Sequence, residues 1–239
     1  MNIVPILMYH NIGEPPSVAK LRGLYVRPRA FALQMRLLKL CGYRGVSMSE
    51  AMPYLRGEKS GRVAAITFDD GYVDTLENAL PILRKNNFSA TCYVVSQRIG
   101  QYNDWDEAAL KVKKPLMDNQ QLHVWQDAGM EVGAHTRTHP HLPQCSDEML
   151  QSEIVGCRDD LTSRMGKPIT QFCYPYGSLD ARTVEAVRRA GYTGATTTQR
   201  GRARSNKDSM QLLRILVSGS TMPHLFLLKL LTRYEDKRA

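Results

Sequence analysis

A chain of 239 residues is long enough for one large domain with a substantial core, and residues 1–239 read as a single domain. No run approaches the roughly 18 apolar residues of a membrane-spanning helix, which excludes that class of protein. The net charge of +9 favours anionic partners such as phosphate groups or acidic lipid headgroups. No nucleic-acid fold signature accompanies the charge, so nucleic acid is not an expected partner.

The start of the chain, Met1 to Tyr9, lacks a basic leader and a small-residue cleavage site, so it reads as a first core strand and predicts a cytoplasmic protein. Further strands are expected at Tyr43 to Val46, Val63 to Phe68, Ser89 to Val95, Met130 to Ala134, Thr170 to Tyr174, Thr193 to Thr197 and Leu212 to Val217. Between them, apolar residues at i, i+3, i+4 spacing predict helices over Arg29 to Leu40, Val73 to Lys85, Asn119 to Gly129, Glu148 to Met165, Ala181 to Ala190 and Pro223 to Tyr234. Asp118 and Ser146 suit N-caps, Gly129 and Gly166 suit helix ends, and Pro81 should kink its helix. Strands alternating with helices predict an α/β fold with a parallel sheet, open or closed into a barrel, with chemistry at the carboxyl ends of the strands.

Two motifs fall at such ends. Thr67-Phe68-Asp69-Asp70-Gly71-Tyr72 places paired carboxylates after the strand Val63 to Ile66. His135-Thr136-Arg137-Thr138-His139-Pro140 places two histidines at i, i+4, a spacing that puts both on one side of a helical turn. Asp70, His135 and His139 would make a two-histidine, one-carboxylate metal site with open positions, leaving Asp69 to act as a base. The five cysteines, Cys41, Cys92, Cys145, Cys157 and Cys173, show no CxxC spacing and read as reduced structural thiols. Two stretches, Asn11 to Arg27 and Arg98 to Pro115, read as loops over the site; Trp105 in the second either stacks on a sugar or anchors the loop. Arg200, Arg202, Arg204 and Lys207 form a modest basic cluster, read first as a solvated face.

These two motifs, with Phe172-Cys173-Tyr174-Pro175-Tyr176-Gly177 and the opening Pro5 to Gly13, resemble the polysaccharide deacetylases, the NodB-homology class of carbohydrate esterase family four. The opening is similar to the branch holding bacterial poly-N-acetylglucosamine deacetylases. The resemblance runs from about Pro5 to Val217. It implies a distorted (β/α) barrel of seven or eight parallel strands and metal-dependent removal of an N-acetyl group from an amino sugar. Matched residue by residue, it implies that Asp70, His135 and His139 bind the metal and that Asp69 is the base. It also implies that the Tyr176 backbone N–H helps hold the oxyanion. Zinc is the expected ion, with cobalt, nickel or manganese alternatives.

Two departures from the family pattern matter. The usual late-motif histidine acid is not evident. His10, at the end of the first strand, is better placed than His224, which sits in the last helical pattern. The third motif lacks its arginine; Arg214, in the last strand, is the expected substitute for positioning Asp69. His141 is expected to be a rim residue rather than a ligand. The expected substrate is an amino-sugar glycan, with a lipid-linked or nucleotide-linked form favoured and peripheral contact with an anionic membrane through His224 to Arg238 as one possibility. The alternatives are a deformylase of a lipid-linked amino sugar and a non-catalytic carbohydrate-binding barrel.

Overall fold

The computed structural model describes residues 2–107 and 111–238. Eight strands follow one another as β1 (Ile6–Tyr9), β2 (Arg44–Val46), β3 (Val63–Phe68), β4 (Thr91–Val94), β5 (Glu131–Ala134), β6 (Gln171–Cys173), β7 (Gly194–Arg200) and β8 (Leu212–Leu216). All their pairings are parallel, in the order β1-β8-β7-β6-β5-β4-β3-β2. β1 also pairs with β3, which closes a seven-strand barrel and leaves β2 against the first half of β3. The fold is therefore the distorted (β/α) barrel that the motifs imply.

Among the described residues the helices are α1 (Pro28–Leu40), α2 (Met48–Arg56), α3 (Leu80–Asn86), α4 (Asn119–Asp127), α5 (Asp147–Gln151), α6 (Cys157–Met165), α7 (Ala181–Arg189) and α8 (Pro223–Leu231). In α1, Pro28 supplies a preset first turn, and Phe31, Gln34, Met35 and Leu38 form the buried stripe. Helix α2 was not anticipated, because Pro53 interrupts its pattern; Ser47 caps its start and Gly57 closes it in a left-handed conformation. Its residues Met48, Ala51, Met52 and Leu55 pack with Val63, Ala65 and Leu212 and plug the bottom of the barrel. The irregularity expected at Pro81 takes the form of a π-helical turn, Thr75–Ala79, that passes into α3. A second π turn, Ser152–Gly156, joins α5 to α6 inside the helix expected over Glu148 to Met165.

Strand periodicity sorts side chains between two layers. On β3, Ala64, Ile66 and Phe68 pack outward under the helices, whereas Val63 and Ala65 join the inner cluster. Thr67 and Asp69 continue the inward phase. The same count puts His10 in phase with Ile6 on β1, Arg214 with Leu212 on β8, and Cys173 inside from β6. His135 is in phase with Gly133, whose added Cβ would lie 2.6 Å from the Tyr93 ring. Five separate strands thus aim side chains into one barrel mouth.

Candidate active site

Register brings the first pair together. Tyr9 lies opposite Phe68, and the Asp69 N–H donates to the Tyr9 carbonyl at 3.0 Å. His10 and Asp69 are therefore neighbours, with His10 Nε2 3.8 Å from Asp69 Oδ2. From across the barrel, Arg214 meets Asp69 at two points, Nη1 to Oδ1 and Nη2 to Oδ2, each 2.7 Å. Its remaining N–H groups donate to the Thr197 carbonyl, Thr67 Oγ1 and Cys173 Sγ, so all five guanidinium donors are used. Burial opposes charge on Asp69, but the charge and hydrogen bonds of Arg214 outweigh it and hold the carboxyl below its ordinary range.

Asp70 turns away from Asp69 because the chain bends there: Asp70 and Gly71 have φ of 75° and 81°. Such a φ is strained for a non-glycine residue. His135 and His139 are not on a helical turn, as their spacing predicted; residues 135–140 form an irregular loop after β5. Thr136 and His139, both at φ 65°, fold the loop back on itself. The His139 N–H donates to Thr136 Oγ1, and the Arg137 and Thr138 amides both donate to the Glu153 carboxylate at 2.8 and 2.9 Å. The Arg137 side chain grips Asp160 at two points of 2.8 Å. Glu153 stands in the second π turn, a local widening that aims its carboxylate at the loop.

The result is a triangle of ligand atoms. His135 Nε2 and His139 Nε2 are 3.2 Å apart, and each is 3.5 Å from Asp70 Oδ1. Ligand atoms about 2.1 Å from one zinc ion in tetrahedral array lie roughly 3.4 Å from one another. The triangle fits a divalent ion. His135 Nδ1 donates to the Cys173 carbonyl at 2.7 Å, which fixes the ring and turns Nε2 to the centre. Burial opposes charge on Asp70, yet the His135 hydrogen bond and nearby His139 outweigh it and hold the carboxyl well below its usual range. Burial pushes His139 down to about 3, so its imidazole is neutral. Asp69, His135 and Cys173 also lie close together, but Arg214 occupies both Asp69 oxygens and the Cys173 sulfur, which rules that group out as a ligand set.

Aromatic rings wall one side. Trp105 stacks on His139 at 4.7 Å, Tyr176 meets His139 edge-on at 4.5 Å, and exposed His141 stacks on Tyr176 at 4.1 Å. Trp105 thus lies against the His139 imidazole, and His141 is exposed at the rim. Tyr176 has φ 58° in the Pro175–Gly177 turn, and its hydroxyl donates to Asp106 at 3.2 Å. Asp106, Glu153 and the Cys173 carbonyl had no sequence signal of their own, since their placement depends on a loop, a π turn and a backbone atom. His224 is exposed on α8, and among the described residues no hydrogen bond or ion pair joins it to Asp69 or Asp70. The part of the Arg98 to Pro115 loop at 108–110 lies outside the described residues.

Residues 56–195 match the family model described as polysaccharide deacetylase. The chain belongs to the polysaccharide deacetylase family. By class it is a carbohydrate N-deacetylase. It is 29% identical over 217 residues to YxkH of Bacillus subtilis (strain 168), a protein named for the same family; the match spans 90% of this chain and 71% of that one. It is 22% identical over 213 residues to the poly-beta-1,6-N-acetyl-D-glucosamine N-deacetylase of Staphylococcus aureus (strain N315), spanning 87% and 73%. Among solved structures, Streptococcus pyogenes deacetylase PplD in complex with acetate aligns with TM-score 0.83 and 27% identity, covering 95% of this chain and 98% of that one. IcaB from Ammonifex degensii shares the fold, with TM-score 0.79, 23% identity and coverage of 96% and 98%. His10 and Arg214 both lie outside the span of the family model, so their places at the site rest on the barrel geometry.

Proposed function

We propose that this protein hydrolyses the N-acetyl group of an amino sugar, with a divalent ion held by Asp70, His135 and His139. The observation that carries the reading is the ligand triangle standing beside an aspartate that Arg214 holds ionised. Zinc is the first choice, and cobalt, nickel or manganese suit the same nitrogen and oxygen donors. When bound, such an ion supplies Lewis-acid polarisation of the amide carbonyl and acidifies water.

The remaining steps belong to the chain. Asp69 takes the proton of the attacking water, because Arg214 leaves it ionised and fixes its carboxylate in place. The Tyr176 N–H donates to the oxyanion; the turn that aims it is held by the Gly177 N–H on the Tyr174 carbonyl at 2.9 Å. His10, beside Asp69 and only partly buried, gives a proton to the departing amine. Trp105 and Tyr176 exclude water from the His139 side. The positive surface favours a substrate carrying phosphate, such as a lipid-linked or nucleotide-linked amino sugar. The test is an acetate-release assay across polymeric, lipid-linked and nucleotide-linked N-acetylamino sugars. Acetate from at least one supports the reading; formate from N-formyl analogues, with no acetate from any, rejects it.

A further inference from the structure

The net positive charge is not where the sequence pattern placed it. Arg200 pairs with Glu235 at 2.6 and 2.8 Å, and Arg202 and Arg204 both reach Asp236. The C-terminal segment thus neutralises that cluster. Lys229 of α8 is buried as well, tied to Glu235 and the Leu216 carbonyl. A different run, Lys20 to Arg29, holds four basic residues and no acidic one. Of these, Arg27 pairs with Glu14 at 2.9 Å. Lys20, Arg22 and Arg29 are exposed and, among the described residues, enter no ion pair.

This run sits at the catalytic mouth. Tyr25–Val26 pairs with Asn11–Ile12, directly after His10. The Gly219 N–H, in the turn after β8, donates to the Gly23 carbonyl at 3.1 Å. A pocket of about 410 Å³ opens there, lined by Arg22, Arg27, Tyr25, Gly219 and Ser220 among others. The same rim exposes large apolar side chains: Val18 is 64% exposed, Leu21 54% and, two residues beyond Ser220, Met222 58%. Basic side chains around an open pocket, with bare aliphatics beside them, are the chemistry of a membrane interface. A protein phosphate site would not need the aliphatics, and a hydrophobic protein partner would not need the charge.

We propose that the rim formed by Val18 to Arg29 and Ser218 to Met222 is an interfacial site for anionic phospholipid. Arg22 takes a lipid phosphate at the pocket, Lys20 and Arg29 lie against neighbouring headgroups, and Val18, Leu21 and Met222 enter the acyl-chain boundary. The arrangement turns the barrel mouth toward the bilayer, where a lipid-linked amino sugar would present itself. It concerns how the site assigned above meets its substrate, but it rests on charge and exposure, and binding is measured without turnover.

The experiment is vesicle flotation of the full chain at low salt, with pure phosphatidylcholine or with about 30% phosphatidylglycerol added to supply anionic charge. The wild type is expected to float only with the anionic vesicles. Lys20→Ala/Arg22→Ala/Arg29→Ala should weaken that partition about tenfold or more, since each basic side chain at the surface contributes substantially. Val18→Asp/Leu21→Asp should weaken it comparably. The control is Lys59→Ala/Lys85→Ala/Lys167→Ala, which removes the same charge from exposed positions before β3, β4 and β6, at the opposite end of the barrel. It should bind as the wild type does. Circular dichroism and acetate release establish that each variant is folded. Absence of wild-type binding, equal losses in the two triple variants, or complete displacement from vesicles by soluble glycerol phosphate would each overturn the proposal.

Discussion

Arg214 and Asp69, 145 residues apart, meet inside the barrel in a two-point ion pair of 2.7 Å at each oxygen. A planar guanidinium facing a planar carboxylate fixes orientation as well as charge. Lysine can supply the charge alone. Arg214→Lys should therefore fold and bind metal but lose turnover, with kcat falling more than KM rises.

Removing the charge has a second effect. Arg214→Met leaves a buried carboxylate without compensation and should destabilise the fold by about 3–5 kcal/mol. A carboxyl lowered in the folded state adds stability above its unfolded value, near 4, and that stability is lost as pH falls through the folded value. Without Arg214 the Asp69 value rises, so the acid limb of the kcat/KM profile should move to higher pH. An acid limb in the same place as the wild type would show that Asp69 is not the ionised base.

Asp69→Asn should keep fold and metal and lose roughly 100- to 10,000-fold in turnover, the usual weight of a general base. Wild-type rate in a metal-loaded variant would remove Asp69 from the mechanism.

His10→Ala should depress turnover more than His224→Ala, with metal retained in both. His10 stands 3.8 Å from Asp69, whereas His224 is exposed on α8. The loss in His10→Ala should fall on kcat more than on KM, since the residue serves the departing amine. If only His224→Ala lowers turnover, the proton comes from α8.

Glu153 touches no ligand atom, yet it accepts from the Arg137 and Thr138 amides and the Thr138 hydroxyl, at 2.8, 2.9 and 2.6 Å. It holds the loop between His135 and His139 in shape. Glu153→Ala should lower metal affinity about 10- to 100-fold with all three ligands intact, as loss of such outer support does elsewhere. Competition titration with a chelating dye checks this; unchanged affinity would make Glu153 a helix-packing residue only.

Much of this arrangement was legible in the chain because barrel strands have period two. Val63 to Asp69 alternates cleanly, so Thr67 and Asp69 inherit the inward phase of Val63 and Ala65. The strand ends at Tyr9, Phe68 and Ala134 then hand on His10, Asp69 and His135. What was not legible lay in irregular backbone. The histidine spacing points equally well to a helical turn, and only Thr136 and His139 at φ 65° produce the observed loop. No residue pattern marks the π turns, so the aim of Glu153 has no sequence signal. The basic cluster at Arg200 to Lys207 looked solvent-facing because Glu235 and Asp236, about 30 residues later, return to it only in the folded chain.

The most direct test is acetate release by the protein before and after metal removal. Dialysis against chelator should abolish release of acetate from an N-acetylamino sugar, and one equivalent of zinc should restore it to the wild type. His135→Ala and His139→Ala should stay inactive at that zinc concentration because their affinity is lost. Acetate release that persists in the metal-stripped protein, or full recovery of both histidine variants with one equivalent of zinc, would contradict the Asp70, His135 and His139 centre.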